Sequence, residues 1–162
     1  CSTSIVSHYF NSKHDLLLCA YRMRMERTVA SVREASAGGT GLVETLAAVL
    51  PLDAERADSW RIWLAFWGLA TADESFLMEQ RLRSRESVEL FRQAILASGR
   101  MTDGPASELA AQALVSSVSG IATQAIYDPE RWPPERQLAL LRLQVEGLAR
   151  EPLPGAEGSA GP

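Results

Sequence analysis

Apolar residues recur every three or four positions along almost the whole chain, and this helical period is the feature that most constrains the fold. No segment shows the sustained apolar–polar alternation between turn residues that indicates a half-buried strand. Glycine and proline interrupt the period at a few points, where helices are expected to end. The sequence therefore predicts an all-α bundle.

One short helix and six longer ones are predicted. Ser12 is a good N-cap for the first long helix, and Asp15 three residues later completes a capping box. Pro105 is suited to the first turn of a later helix. The predicted helices cover about 2–8, 13–36, 41–50, 54–72, 74–99, 106–127 and 134–149. The Pro/Gly/Ala-rich tail, residues 151–162, has little to bury and is predicted to be disordered.

Composition narrows the class of protein. With 162 residues and 46% hydrophobic content, the chain can bury a sizeable core, yet it has no uninterrupted apolar run long enough for a membrane span. The absence of a signal peptide and the presence of only two cysteines, Cys1 and Cys19, favour a reduced, cytoplasmic protein. No metal motif, phosphate loop or nucleophile–base pair is visible, so no catalytic residue, metal site or cofactor is predicted.

Charge is distributed unevenly. The formal net charge is −4, but residues 1–33 carry +3 and the remainder carries −7. An acidic body argues against nonspecific nucleic-acid binding by the whole chain, whereas a basic end is suited to a local contact with a polyanion.

The first residues, STSIVSHYFNSKHDLL, place several hydroxyls beside apolar and basic groups. A short helix of this kind can enter the DNA major groove, where small polar side chains meet base edges and phosphates. The alternative interpretation is a frayed terminal turn without contacts. The residues predicted to contact DNA are Thr3, Ser4, Ser7, His8, Tyr9 and Lys13.

The segment CSTSIVSHYFNSKHDLL resembles the end of the DNA-binding domain of TetR-family regulators, with a close match over about residues 2–18. SHYF together with WLAFWGLA and RLRSRESVELFRQAI is similar to the choline-responsive, BetI-like group of that family, to about residue 148. The resemblance implies a homodimeric repressor that a small molecule releases from operator DNA. It also implies that residues 1–12 are the remnant of a helix-turn-helix lacking its first two helices, and that 13–150 form a ligand-binding and dimerisation domain.

Three tryptophans, Trp60, Trp63 and Trp67, share one face of a predicted helix. Core packing is one interpretation. The other, which the resemblance implies, is an effector pocket for a choline-like cation, bound by cation–π attraction, or for an apolar compound. Ser119 and Thr123 are predicted to supply polar pocket groups. The acids considered as partners of a cation are Asp58, Asp73, Glu74 and Glu79.

The last two helices are apolar on more than one side. One predicted stripe comprises Leu138, Leu141 and Val145, and the other comprises Leu114, Val118 and Ile121. These stripes predict a four-helix dimer interface, with a monomeric bundle as the alternative. A palindromic operator would require such a dimer. A helical ligand-binding or protein-interaction module without DNA-binding activity is the other function that these residues allow.

Overall fold

A computed structural model describes residues 13–148, which form a bundle of six α-helices. The helices are α1 (Lys13–Ala37), α2 (Leu42–Ala47), α3 (Ala54–Ala70), α4 (Glu74–Ala97), α5 (Pro105–Tyr127) and α6 (Pro134–Gly147). No strand occurs within this range, and the all-α prediction is confirmed. The helix predicted at 2–8 and the tail predicted after residue 150 lie outside the described residues.

Capping and turn residues mark the helix ends. Asp53 caps α3 by accepting a 2.9 Å hydrogen bond from the Arg56 amide, and Pro105 occupies the first turn of α5. Gly99 follows α4 with φ of 69°, a left-handed conformation that glycine adopts without steric cost.

The helix predicted over 41–50 is shorter in the structure. α2 ends at Ala47, because the amides of residues 48, 49 and 50 bond carbonyls three residues earlier, at 3.1 to 3.4 Å. Such bonds tighten the backbone beyond α-helical geometry. Pro51 then leaves the helical path, as the sequence indicated.

α4 lies at the centre of the bundle and packs against α1, α2, α3 and α5, while α6 packs against α2 and α5. The core contains large side chains from different helices, among them Tyr21, Leu46, Ile95 and Leu141, none more than 1% exposed. Burial of these residues is the main source of stability for a bundle of this size.

The predicted dimer stripes face this core rather than the outside. Leu114, Val118, Leu141 and Val145 are at most 1% exposed within the single protomer, and Ile121 is 8% exposed. Leu138 is partly buried against the same core. The fully buried side chains among them have no surface left for a partner, whereas Leu138 keeps some; the dimer interface on α5 and α6 stays a prediction. The spacing of apolar residues in the sequence indicated that both helices are apolar on two sides. It could not indicate which side faces the core.

Candidate ligand-binding site

A cavity of about 340 Å³ lies between α1, α3, α4 and α5. Its walls are mostly apolar, with a few polar groups, as is usual for small-molecule sites. The lining side chains from α1 and the segment after α2 are Tyr21, Met25, Thr28, Val29 and Val49; those from α3 are Trp60, Trp63 and Trp67. Those from α4 and α5 are Gln80, Arg83, Ser84, Ser87, Leu90, Phe91, Val115, Ser116, Val118 and Ser119.

The three tryptophans of α3 form one wall and belong to the core at the same time. Trp60 and Trp63 are 2% and 4% exposed, and Trp67 packs against the core from a half-buried position. Trp60 contacts both others in edge-to-face geometry, with ring centroids 5.0 Å from Trp63 and 5.8 Å from Trp67. The two interpretations of this stripe, core and cavity wall, therefore describe the same side chains.

The indole N–H groups of this wall differ in their partners. Trp60 Nε1 donates a 2.7 Å hydrogen bond to the Val49 carbonyl. Trp63 Nε1 and Trp67 Nε1 are buried, and neither has an acceptor among the described residues. The Trp67 N–H approaches the Tyr21 hydroxyl closely enough to affect its pKa, but their geometry falls short of a hydrogen bond.

Tyr21 fixes α1 against the cavity. Its ring stacks on Phe66 with a centroid distance of 3.8 Å, and its hydroxyl donates a 2.6 Å hydrogen bond to Gln80 Oε1 on α4. Burial raises the pKa of Tyr21 to about 12, and the Trp67 N–H partly opposes that rise. The hydroxyl therefore stays protonated and remains a donor at neutral pH.

An ion-pair network continues from the cavity to α1. Arg83 lines the cavity and donates through Nε to Glu79 Oε1 at 2.8 Å and through Nη1 to Glu86 at 2.7 Å. Glu79, only 7% exposed, also accepts a 2.7 Å hydrogen bond from Arg22 of α1. The Arg22 hydrogen bond, with help from Arg83, holds the pKa of Glu79 below its usual value despite partial burial.

Four of the five predicted ligand-binding residues lie in the wall of the cavity. Trp60, Trp63, Trp67 and Ser119 line the cavity. Thr123 is not among the lining residues, and its hydroxyl donates to the Ser119 carbonyl at 2.7 Å.

The sequence interpretation missed the contributions of α1 and α4. Gln80, Arg83, Ser84 and Ser87 repeat at three- and four-residue spacing, so they share one face of α4 and point at the cavity together. That spacing was a usable signal, since polar residues on one face of a central helix are expected to face either solvent or a polar site.

The acids considered as partners of a cation do not line the cavity. Asp58 pairs with Arg61 at 2.6 Å, Asp73 caps α4, and Glu74 lies 3.6 Å from Arg81. Glu79 is held in the network described above. Arg83 is the one charged side chain among the described lining residues.

Of the residues predicted to contact DNA, the structure describes Lys13 alone, which is exposed at the start of α1. Thr3, Ser4, Ser7, His8 and Tyr9 lie outside the described residues. His14 secures this end of α1, because its ring stacks on Phe76 at 4.3 Å and its Nε2 lies 2.6 Å from Ser75 Oγ. Within residues 13–148 no group of His, Cys, Asp or Glu side chains is placed to hold a metal ion.

Comparison with known proteins identifies the family. Residues 40–150 match a family described as BetI-type transcriptional repressor, C-terminal. The chain is 27% identical over 144 residues to the HTH-type transcriptional regulator BetI of Vibrio parahaemolyticus serotype O3:K6 (strain RIMD 2210633), covering 80% of this chain and 66% of the relative, just under two thirds of that relative's length.

A solved structure of a transcriptional regulator has a similar fold. The crystal structure of a transcriptional regulator from Rhodococcus sp. Rha1 superposes with a TM-score of 0.79 at 25% identity, over 91% of this chain and 78% of that one. The family match spans well over half of the chain, from residue 40 through all the cavity walls except α1. The chain therefore belongs to the TetR family of transcriptional regulators, in its BetI-type branch.

Proposed function

We propose that the protein is a DNA-binding repressor of the cytoplasm, and that a small molecule in the α1–α3–α4–α5 cavity lowers its affinity for the operator. The supporting observation is the direct polar connection between the cavity and α1. Tyr21 bonds Gln80, and Arg22 bonds Glu79, the partner of Arg83. α1 is also the helix that follows the segment predicted to read DNA.

The connection suggests how the signal passes. Gln80 lines the cavity and bonds Tyr21 of α1 directly, so a ligand that contacts Gln80 competes with or reorients that bond. Arg83 also lines the cavity, and it is linked to α1 indirectly, through Glu79 and Arg22. Lys13 lies eight residues before Tyr21, about 12 Å along the helix axis. Because a helix moves as a rigid rod over this length, a tilt set at Tyr21 reaches the end of α1 that adjoins the DNA-contacting segment.

The test of DNA binding is a mobility shift of the full-length protein on its own promoter region across salt concentrations. Affinity should fall steeply with salt, because phosphate contacts release counterions. Lys13→Ala should lower the salt slope by about one. Arg85→Ala, at an exposed position of α4, is the matched control and should leave the slope unchanged. A folded dimer without sequence-preferring shifts would favour the alternative, a ligand-binding bundle without a DNA role.

The proposed coupling between the cavity and operator binding can be tested by removing the Tyr21 hydroxyl. Tyr21→Phe keeps the ring stacked on Phe66 but removes the hydrogen bond to Gln80. We expect operator binding to persist and ligand-induced release to weaken. Tyr127→Phe removes a hydroxyl from a side chain that is 71% exposed and serves as the control. Unchanged release in Tyr21→Phe would contradict this route.

We further propose a homodimer formed by the outward faces of α5 and α6. α5 is apolar enough, by length and composition alone, to meet the criterion for a membrane span, a test that core helices of soluble proteins also pass. Only 39% of the 18-residue apolar stretch of α5 that meets this criterion is buried in the protomer. Leu109, Tyr127 and Leu143 are exposed by 41%, 71% and 62%. A partner that covers these side chains would remove their apolar surface from water.

Gly120 is a second observation in favour of this proposed dimer surface. It lies exposed in the middle of α5, where glycine destabilises a helix by about 1 kcal/mol relative to alanine, and no atom of the protomer lies near its missing Cβ. Close approach of a partner helix would explain a glycine there. Gly120→Ala should therefore weaken dimerisation in sedimentation experiments while it stabilises the helix. Gly68→Ala, also unobstructed and exposed but on α3, should stabilise without affecting association.

A further inference from the structure

We propose that the ligand of the cavity is an uncharged molecule with an apolar body and an oxygen acceptor, such as a ketone, ester or lactone, and that this oxygen binds the N–H groups of Gln80 and Arg83 on α4. This inference rests on the proposed function, since it takes the cavity as the effector site, and it specifies the chemistry of the effector.

The first support is the side-chain amide of Gln80, only one end of which is bonded. The Tyr21 hydroxyl donates a 2.6 Å hydrogen bond to Gln80 Oε1. The nearby Trp67 supports this direction of the bond, because its indole N–H can only donate and approaches the Tyr21 oxygen. Gln80 Nε2 therefore keeps its protons for another acceptor, and no described residue supplies one.

The second support is the guanidinium of Arg83, which is also only partly bonded. Its Nε donates to Glu79 Oε1 at 2.8 Å and its Nη1 to Glu86 Oε2 at 2.7 Å. Its Nη2 bonds no described residue. Like the Gln80 amide nitrogen, this group can donate but cannot accept a hydrogen bond, so both call for an acceptor on the ligand.

Both nitrogens remain accessible on side chains that line the cavity. Within the described residues, the fully buried side-chain atoms without a partner are Trp63 Nε1, Trp67 Nε1 and Gln137 Oε1. Gln80 Nε2 and Arg83 Nη2 are not among these enclosed atoms, although they lack partners too, and both side chains belong to the cavity wall. Residues three apart on a helix are neighbours, about 5–6 Å apart at Cβ, so the oxygens of one carbonyl or ester group can serve both donors.

The charges around the cavity favour an uncharged ligand. Arg83 is the one charged side chain among the described lining residues, and a guanidinium repels a cation. Its own charge is already matched, because Arg22 and Arg83 share a network with Glu79 and Glu86. A ligand carboxylate would add a third acid to this network and would lose its hydration on entry. A neutral oxygen gains the hydrogen bonds without that cost.

The remaining walls favour an apolar body for the ligand. Met25, Val29, Leu90, Phe91 and Val115 give the cavity apolar surfaces beside the polar face of α4. Burial of a hydrocarbon framework against such walls drives binding, while the few polar groups orient the ligand.

The experiment measures the affinities of this chain for matched probes by calorimetric titration. 2-Acetylnaphthalene carries a carbonyl oxygen where 2-isopropenylnaphthalene has a CH₂ group, and the two have nearly the same shape. We expect the ketone to bind roughly tenfold more tightly, because only its oxygen accepts from Gln80 and Arg83. 2-Naphthoate and trimethyl(2-naphthyl)ammonium present an anion and a cation on the same ring system, and both should bind more weakly than the ketone.

Variants of Gln80 then locate the donor. Gln80→Met removes the amide at similar length, and Gln80→Glu keeps an acceptor for the Tyr21 hydroxyl while it replaces the NH₂ group by an oxygen. Each should reduce the ketone-to-alkene affinity ratio to about threefold or less, because Arg83 alone remains to donate. Gln93→Met is the matched control, since Gln93 is exposed on the same helix and outside the cavity wall, and it should preserve the ratio.

The results that contradict the inference are distinguishable. A ratio that survives both Gln80 variants overturns the assignment of the donor. Equal affinity for ketone and alkene, or tightest binding of the anion or the cation, overturns the uncharged acceptor and leaves the cavity as a ligand site. Absence of binding by every probe, with the chain folded, overturns the inference and removes support for the cavity as the effector site. Operator binding by the full-length protein is a separate measurement, so failure of the DNA-binding function would be seen independently.

Discussion

Replacing Glu79 by glutamine tests the polar network that joins α1 to the cavity. Glu79 is 7% exposed and accepts hydrogen bonds from Arg22 at 2.7 Å and from Arg83 at 2.8 Å. Glutamine keeps the shape, but it loses the charge and turns an NH₂ group toward one of two guanidinium groups, which are donors only. The protein should therefore lose stability without losing its fold.

The two ion pairs contribute unequally to this loss. The side chain of Arg22 is 48% exposed, so its pair resembles a surface pair worth about 0.5 kcal/mol. The side chain of Arg83 is 17% exposed and keeps Glu86 as a second partner, so we assign about 1.5 kcal/mol to its charge-assisted hydrogen bond. The free energy of unfolding at neutral pH should fall by about 2 kcal/mol. For a chain of this length the midpoint temperature should fall by about 4–8 °C.

The pH dependence has a defined sign. The pKa of Glu79 is lowered in the folded state from its usual 4.5, so its contribution is complete above that value and is lost as pH falls through the lower, folded value. The stability difference between wild type and Glu79→Gln should therefore be constant near pH 7 and shrink below about pH 4.5. Because other carboxylates titrate equally in both proteins, the difference isolates Glu79.

Urea denaturation followed by circular dichroism measures both effects. Glu86→Gln is the matched control, because Glu86 pairs with the same Arg83 from a side chain that is 45% exposed, and it should cost less than about 1 kcal/mol. A Glu79→Gln variant no less stable than Glu86→Gln would refute the buried network. A difference that persists undiminished in acid would refute the assignment of the pKa shift.

Three further changes have defined outcomes. Trp60→Phe leaves the Val49 carbonyl without its 2.7 Å donor and should lower the free energy of unfolding by about 1–3 kcal/mol, measured by urea denaturation. Leu143→Glu should dissociate the proposed dimer without unfolding the protomer, since Leu143 is 62% exposed; Met78→Glu, 63% exposed on α4, should leave the sedimentation coefficient unchanged. Asp53→Ala removes the N-cap of α3 and should cost about 1 kcal/mol in the same denaturation assay.

The helices were predictable because their ends depend on local chemistry. Asp53 and Pro105 act through neighbours within three residues, and the glycines after α1 and α4 act through their own backbone freedom. The end of α2 was misplaced by three residues, because the amides of residues 48–50 bond carbonyls three residues earlier instead of four. The period of the sequence does not contain that information.

The orientation of the last two helices was not predictable for a different reason. Leu141 and Leu143 are both leucines in α6, yet one is fully buried and the other is 62% exposed. A helix that is apolar on two sides has no polar face to indicate solvent, so the period alone supports either orientation. The contacts of α6 with α2 and α5 decide which side turns inward, and these contacts join residues far apart in the chain.

The tryptophan wall shows where residue type stops predicting chemistry. Trp60, Trp63 and Trp67 are the same residue on one helical face, and the sequence gives no ground for assigning them different roles. The fold separates them, because the turn after α2 brings the Val49 carbonyl to the Trp60 N–H, whereas the Trp67 N–H lies near the Tyr21 hydroxyl of α1. The choline interpretation followed from ring faces, which all three residues share. Arg83 is the one charged side chain among the described lining residues, and a guanidinium repels a cation, so the charge of this cavity does not favour a choline-like ligand.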